Sequence, residues 1–214
     1  MKREYRRSEP LFSQCGLNCG LCPMYHIREE SHCPGCGGPG RPSCPILRCA
    51  GEHGGVEFCS LCPDWPCQRY VQEQADSFIP HRNARRDLET VKRVGLEHYR
   101  ETLGKKMEGL RFLLERCNDG RRKSLFCTAV NLLELEDVEA VIARLEEEFG
   151  PEYPPEEQKD RGSRAAELFR ERAQTRGVSL KWSGSGSPEL ERTWKRWRKT
   201  DEYSVGSGKV HRKL

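Results

Sequence analysis

The segments Cys15-Gly-Leu-Asn-Cys19-Gly-Leu-Cys22-Pro-Met-Tyr25 and Cys59-Ser-Leu-Cys62-Pro-Asp-Trp65-Pro-Cys67 decide how this chain folds. Both contain the pattern Cys-x-Leu-Cys-Pro-x-aromatic, and the two copies are offset by 40 residues. One tight turn presents the two thiols of a Cys-x-x-Cys pair to a single metal ion. The repeat therefore predicts two related knuckles and two separate metal sites.

Ten of the twelve cysteines of the chain lie between Cys15 and Cys67, a span of 53 residues. The first residues are charged and contain no apolar signal segment, so we expect a cytoplasmic protein, and a reducing cytoplasm disfavours stable disulfides. Metal binding is therefore the favoured interpretation of the clustered thiols. The candidate ligands are Cys15, Cys19, Cys22, Cys33, Cys36, Cys44, Cys49, Cys59, Cys62 and Cys67.

Two kinds of metal centre fit these thiols. Zinc suits paired cysteines closed into a tetrahedral site, and Cys33-Pro-Gly-Cys36-Gly-Gly is typical of a knuckle in which glycine permits the turn. A [4Fe–4S] cluster suits an all-thiolate ligand set and the recurrent Cys-Pro pairs at Cys22, Cys33, Cys44 and Cys62. The prediction is zinc at two sites, with iron–sulfur as the alternative.

The same segment allows two further interpretations. Cys15-x3-Cys19-x2-Cys22 has the spacing of a radical S-adenosylmethionine enzyme, but the alternating strands and helices of that barrel do not follow it. Each histidine of the segment could replace a cysteine as a ligand, although a solvated or capping role is expected for His26, His32 and His53.

Amphipathic helices are predicted from about residue 87, where apolar residues recur three and four positions apart. The clearest stripe lies at residues 138–149, with Asp137 as a candidate N-cap and Gly150 as its end. Cys117 and Cys127 lie on apolar helix faces, so we expect them to be buried as small hydrophobic residues.

The predicted fold class is a small cysteine-rich module stabilised by metal, followed by an α-helical region. It is mainly α, with irregular knuckles and little β-structure. The module covers residues 11–80 and the helical region residues 84–182. Within the latter, a helix is expected from about residue 163 to residue 176, and residues 178–182 alternate like a short edge strand.

The last segment, residues 183–214, predicts a flexible linker followed by a short basic helix and a tail. Leu190, Trp194 and Trp197 fall on one helix face, and basic residues surround them. Such a face could dock on a protein partner or stack on nucleic acid. The residues expected to bind a partner are Leu190, Trp194, Lys195, Arg196, Trp197 and Arg198.

The overall composition excludes a membrane-spanning protein, because no apolar run approaches the ~18 residues that a crossing helix needs. Hydrophobic residues make up only 35% of the chain, so we expect metal ligation to supply much of the folding free energy of the module. Residues 161–214 carry 14 basic and 6 acidic side chains, which concentrates the positive charge in the C-terminal quarter.

Together, the blocks CGLNCGLCPMY, CPGCGG, CPILRCA and FCSLCPDWPCQRY resemble, in this order, the cysteine-rich bacterial and archaeal family catalogued as domain of unknown function 3795. CNDGRRKSLFCTAVNLLELED resembles the helical segment that follows in that family, so the resemblance covers about residues 12–182. It implies a zinc-binding module of uncharacterised function and leaves residues 183–214 outside.

These observations favour a metal-binding protein that acts through interactions and is not an enzyme. An iron–sulfur protein in electron transfer, accessory to a larger complex, is the alternative. An enzyme whose metal keeps an open position is a third option. No Walker loop, dinucleotide fingerprint, nucleophile elbow or HExxH helix is present, and the sequence singles out no catalytic residue.

Overall fold

The computed structural model describes residues 7–27, 32–39, 44–71 and 76–181. These ranges contain α-helices and short 3₁₀ turns but no β-strand, which confirms the predicted fold class. The 3₁₀ turns cover Cys19–Leu21, Cys59–Leu61 and Pro155–Glu157. The helices are α1 (Pro45–Glu52), α2 (Gln68–Val71), α3 (Ala84–Val94), α4 (Leu96–Arg116), α5 (Lys123–Leu132), α6 (Leu135–Phe149) and α7 (Gln158–Thr175).

A single hydrophobic core joins the cysteine-rich segment to the helices. The ring of Phe12 lies 5.0 Å from that of Phe58 and 4.6 Å from that of Tyr99 in α4, measured between centroids. Leu21 of the first 3₁₀ turn is fully buried in the same core. Burial of one such side chain contributes about 1.5–3 kcal/mol, so the cysteine-rich segment is held to the helices partly by ordinary packing. The domain boundary near residue 80 stays a prediction.

A buried polar network also links the two parts. Asn18, next to the first 3₁₀ turn, donates from Nδ2 to Oδ2 of Asp87 at 2.9 Å, and Asn83 donates to the same oxygen at 2.7 Å. Tyr99 donates its hydroxyl proton to Oδ1 of Asn18 at 2.9 Å. Burial raises the pKa of Asp87, and burial lowers the pKa of the nearby Lys106. The orientation of Asn18 is therefore set by α3 and α4.

Helix α7 is attached to the rest of the bundle through a buried arginine. Arg161 is 1% exposed and donates from Nε to the carbonyl oxygen of Arg116 at 3.1 Å and from Nη2 to that of Pro154 at 3.0 Å. Its guanidinium also lies over the ring of Tyr153. The first of these bonds gives a partner to the last carbonyl group of α4, because the final carbonyl groups of a helix have no partner inside it.

Two details of the sequence prediction for α6 have different outcomes. The end at Gly150 is confirmed, because this residue adopts φ +76° directly after Phe149. The N-cap at Asp137 is wrong, since α6 begins two residues earlier at Leu135. Asp137 is buried in the first turn, where its carboxylate accepts hydrogen bonds from Arg176 at 3.0–3.3 Å.

The segment after α7 corrects another prediction. Residues 178–181 form no strand, because no neighbouring strand is present to pair with them in the part of the chain that the structure describes. Val178 and Leu180 instead pack against the core, which explains the alternation. Helix α7 begins at Gln158, five residues before the predicted start. Of the described helices, none combines the length and apolar composition that a membrane crossing requires.

Candidate metal centre

Both copies of the repeated motif fold into the same local structure. We call residues 19–25 the first knuckle and residues 59–65 the second knuckle. In each, the N–H of the second cysteine donates to the carbonyl of the first, at 3.1 Å for Cys22 and 3.0 Å for Cys62. The N–H of the following aromatic residue donates to the carbonyl oxygen of the second cysteine, at 2.9 Å for Tyr25 and 3.2 Å for Trp65. The backbone angles agree as well, with φ, ψ of −76°, 134° at Cys22 and −73°, 138° at Cys62.

The two knuckles differ in their surroundings. The first contacts α4 and α5, and its Leu21 is fully buried. The second contacts α3, and its Leu61 is 54% exposed. A Cβ atom on Gly20 would lie 2.5 Å from Sδ of Met107 in α4, so a side chain at this position of the first knuckle would require Met107 to move. The second knuckle therefore faces solvent where the first faces the core.

The second knuckle is held beside Cys15. The N–H of Cys59 donates to the carbonyl of Gln14 at 3.0 Å, which bridges 45 positions of sequence. Sγ of Cys15 lies 3.1 Å from Oγ of Ser13. The hydroxyl group of Tyr70 donates to the carbonyl of Cys15 at 3.2 Å. These hydrogen bonds therefore bring Cys15 and Cys59, which are distant in the sequence, close to one another.

Two of these thiols, Cys15 and Cys59, have raised pKa values to which other thiols contribute. Burial, offset in part by Ser13, raises the pKa of Cys15 to about 11, and the thiols of Cys36 and Cys44 contribute to the rise. Burial raises the pKa of Cys59 further, and four thiols add to this effect. We call the resulting set the thiol group: Cys15, Cys36, Cys44, Cys49, Cys59, Cys62 and Cys67.

The other three candidate ligands belong to the first knuckle and its neighbour. The N–H of Cys33 donates to the carbonyl of Met24 at 2.9 Å, which places Cys33 against the loop that carries Cys19 and Cys22. The N–H of Cys36 donates to Pro10 at 2.8 Å. Cys33 therefore lies against the first knuckle, whereas Cys36 of the same pair belongs to the thiol group. That each of the ten cysteines is a ligand stays a prediction.

Helix α1 contributes two thiols from opposite ends. Cys44 is its N-cap, and Sγ accepts a hydrogen bond from the N–H of Leu47 at 3.3 Å. Cys49 lies in the last turn, with Sγ 3.6 Å from Nδ1 of His53. An N–H bond to sulfur stabilises a thiolate, as it does in many metal knuckles.

Sequence reasoning missed Asp64 as a candidate ligand. The structure brings ligand atoms of His53, Cys62 and Asp64 within 4.8 Å of one another. The histidine follows Cys49 by one helical turn, and the aspartate follows Cys62 by two residues. An acid two residues after a knuckle cysteine is a weak signal by itself, because only the docking of α1 on the second knuckle places the histidine beside it.

His26, Cys117 and Cys127 have structural environments. Nε2 of His26 lies 2.7 Å from the carbonyl oxygen of Gly20, a contact within the first knuckle. Cys117 and Cys127 are 0% and 1% exposed, which confirms that they are buried core residues. Burial raises the pKa of Cys117 to about 11.

The predicted partner-binding residues Leu190, Trp194, Lys195, Arg196, Trp197 and Arg198 lie outside the described residues. Their role stays a prediction.

Comparisons with known proteins support the resemblance only for the cysteine-rich segment. No curated protein and no solved structure matches the chain. The family match ends at residue 72, before the helices that the resemblance was expected to include. Residues 11–72, which contain all ten clustered cysteines, match the family described as "Protein of unknown function (DUF3795)", and the predicted family resemblance is thereby confirmed for this segment.

Proposed function

We propose that residues 11–80 form a metal-binding module that holds zinc at two sites, mainly through thiolates, and that the protein acts as an interaction or accessory module. One observation carries this proposal: Cys59 is anchored beside Cys15, and five further thiols act on these two from neighbouring segments and α1. Cysteines that serve only as small hydrophobic residues would lie in the core, whereas these cysteines are clustered on half-exposed turns.

The chemistry of crowded thiols supports a bound cation. Burial, with contributions from the thiols of Cys36 and Cys44, raises the pKa of Cys15 and so disfavours ionisation of this thiol. A divalent metal reverses this effect, because a coordinating thiol loses its proton outright. The zinc ion then closes the turns into one rigid unit and contributes to folding free energy, as in other small metal modules.

An iron–sulfur protein in redox or electron transfer is the alternative function. The specific observation in its favour is the size of the thiol group, since seven neighbouring thiols include more than the four that one cluster needs. The first knuckle with Cys33 would then form a second centre.

Anaerobic purification with elemental analysis distinguishes the two functions. Our proposal predicts a colourless protein that contains about two zinc ions per chain and little iron. A brown protein with absorbance near 400 nm and stoichiometric iron and sulfide would support the alternative. A protein that contains neither metal, and takes up neither under reducing conditions, would overturn both.

The interaction role rests on the C-terminal segment and on a cytoplasmic location, in which exposed thiols stay reduced. A protein partner is expected to bind the face of Leu190, Trp194 and Trp197, since buried tryptophans often dominate the binding free energy.

Replacing both tryptophans with alanine should weaken binding by about 2–4 kcal/mol each and leave metal content unchanged. If the partner is nucleic acid, binding should also weaken steeply with salt. Pull-down with and without residues 183–214 tests the segment, and unchanged interactions would contradict the role.

A further inference from the structure

The end of α1 lies over the second knuckle and brings a histidine to it. His53 is the C-cap of α1, and its backbone N–H donates to the carbonyl groups of Cys49 and Ala50 at 3.0 and 3.1 Å. Its Nε2 lies 3.3 Å from Oδ2 of Asp64, and Sγ of Cys62 completes a set of three atoms that lie within 4.8 Å of one another. The backbone hydrogen bonds of His53 therefore hold its imidazole beside the second knuckle.

The other ring nitrogen shows how this imidazole is oriented. Nδ1 lies 2.8 Å from the carbonyl oxygen of Cys49, and a carbonyl only accepts hydrogen bonds, so Nδ1 carries the proton. A neutral imidazole with this tautomer directs its Nε2 lone pair toward Asp64 and Cys62. Metal-binding histidines are commonly held in this way, with the second nitrogen bonded to a backbone carbonyl.

A metal ion between these atoms would be held by an imidazole nitrogen, a thiolate and a carboxylate, whereas without a metal a protonated imidazole would pair with Asp64. Nε2 of His53 and Oδ2 of Asp64 lie 3.3 Å apart. Two nitrogen or oxygen ligands at about 2.0–2.1 Å from a tetrahedral zinc stand about 3.3 Å apart. The separation in the structure therefore matches that of two ligands of one zinc ion.

The repeat shows that this arrangement is specific to the second knuckle. At the offset of 40 residues, Cys62 corresponds to Cys22, but His53 corresponds to Ser13 and Asp64 to Met24. Ser13 has another role, because its hydroxyl oxygen accepts the N–H of Leu17 at 2.8 Å. The first knuckle therefore lacks the nitrogen and oxygen donors of the second.

We propose that His53 Nε2, Cys62 Sγ and Asp64 Oδ2 form a mixed-ligand zinc site on the second knuckle, whose fourth position faces solvent. This inference rests on the proposed function and specifies one of its sites. The N, S and O donors suit Zn²⁺ and do not suit an all-thiolate iron–sulfur cluster. The side chains of His53 and Asp64 are 39% and 67% exposed, so water or an external ligand can reach the ion.

The test measures Zn²⁺ bound per chain in the full-length protein under reducing conditions, together with the affinity of each ion. The variants are Cys62→Ser, His53→Ala and Asp64→Asn. We expect each to lose or weaken the same ion, by about tenfold or more, and to keep the other ion. The matched control is Glu52→Gln, because the Glu52 carboxylate is also 67% exposed and is paired with Arg69 at 3.9 Å. This control should bind zinc as the wild type does.

The possible failures separate this inference from the proposed function. If Cys62→Ser loses an ion while His53→Ala and Asp64→Asn keep wild-type affinity, then Cys62 binds within the thiol group and the mixed site is overturned, but the proposed function stands. If His53→Ala and Asp64→Asn lose both ions together, the mixed site is not separate, and the inference also fails. If the wild type binds no zinc, the proposed function and the inference fail together.

Discussion

At the scale of single residues, Gly20 and Ser60 occupy equivalent positions in the two knuckles but should respond in opposite ways to alanine. Gly20→Ala would place Cβ against the side chain of Met107, and overpacking of this kind costs about 1–3 kcal/mol of the free energy of unfolding. Ser60→Ala removes a buried hydroxyl that has no hydrogen-bond partner, so stability should stay equal or rise. Urea unfolding of both variants measures the contrast.

The matched control for Gly20 is Gly104 within α4. A Cβ atom there would meet no atom within 4 Å, so Gly104→Ala should stabilise the protein by about 0.5–1 kcal/mol through helix propensity. If Gly20→Ala were as harmless as Gly104→Ala, the close approach of the first knuckle to α4 would be wrong.

Asp87 should make stability depend on pH. Because burial raises its pKa in the native state, the native carboxyl holds its proton more tightly than the unfolded one does. Its contribution to stability is complete below the ordinary aspartate pKa of about 3.9 and is lost as pH rises through the native pKa. Relative to Asp87→Asn, the wild type should therefore lose stability as pH rises above about 4.

Urea unfolding of the two proteins at several pH values checks this prediction. Glu89→Gln is the control, because Glu89 lies in the same helix but pairs with Arg85 on the surface, and it should follow the wild type. A stability difference between wild type and Asp87→Asn that does not change with pH would show that the carboxylate is not disfavoured by its site.

At the scale of elements, the attachment of α7 depends on one arginine. Arg161→Ala should leave the carbonyl groups of Arg116 and Pro154 without partners, and each unsatisfied group costs about 1–3 kcal/mol. Arg164, in the same helix, pairs with Glu148 on the surface, so Arg164→Ala should have a much smaller effect. Thermal unfolding measures both variants, and equal effects would refute the special role of Arg161.

At the scale of the whole molecule, metal removal should affect the two parts of the chain unequally. A strong chelator under reducing conditions should make residues 11–80 sensitive to protease while most of the helical circular dichroism of α3–α7 remains. The melting temperature of the helices should also fall, because Phe12, Leu21 and Phe58 belong to the shared core. Full protease resistance of residues 11–80 after chelation would contradict metal-dependent folding.

Much of this architecture follows from local sequence alone. Each knuckle is a contiguous turn whose cysteine, proline and aromatic positions are only a few residues apart, so the repeat predicts both copies. The stripes of α4 and α6 and the stop at Gly150 are likewise local, since helix periodicity and a glycine with positive φ act within a few residues. The burial of Cys117 and Cys127 followed from the same periodicity.

Only the tertiary structure decided which side chains meet. Cys59 lies beside Cys15, and His53 beside Asp64, because docking of distant segments placed them there, and no spacing rule encodes that docking. The buried network of Asn18, Asp87 and Tyr99 arises in the same way. The strand expected at residues 178–182 is not formed by the described residues 178–181. Alternation in the sequence predicts which side chains are buried, but a strand also needs a neighbouring strand, and local sequence does not supply one.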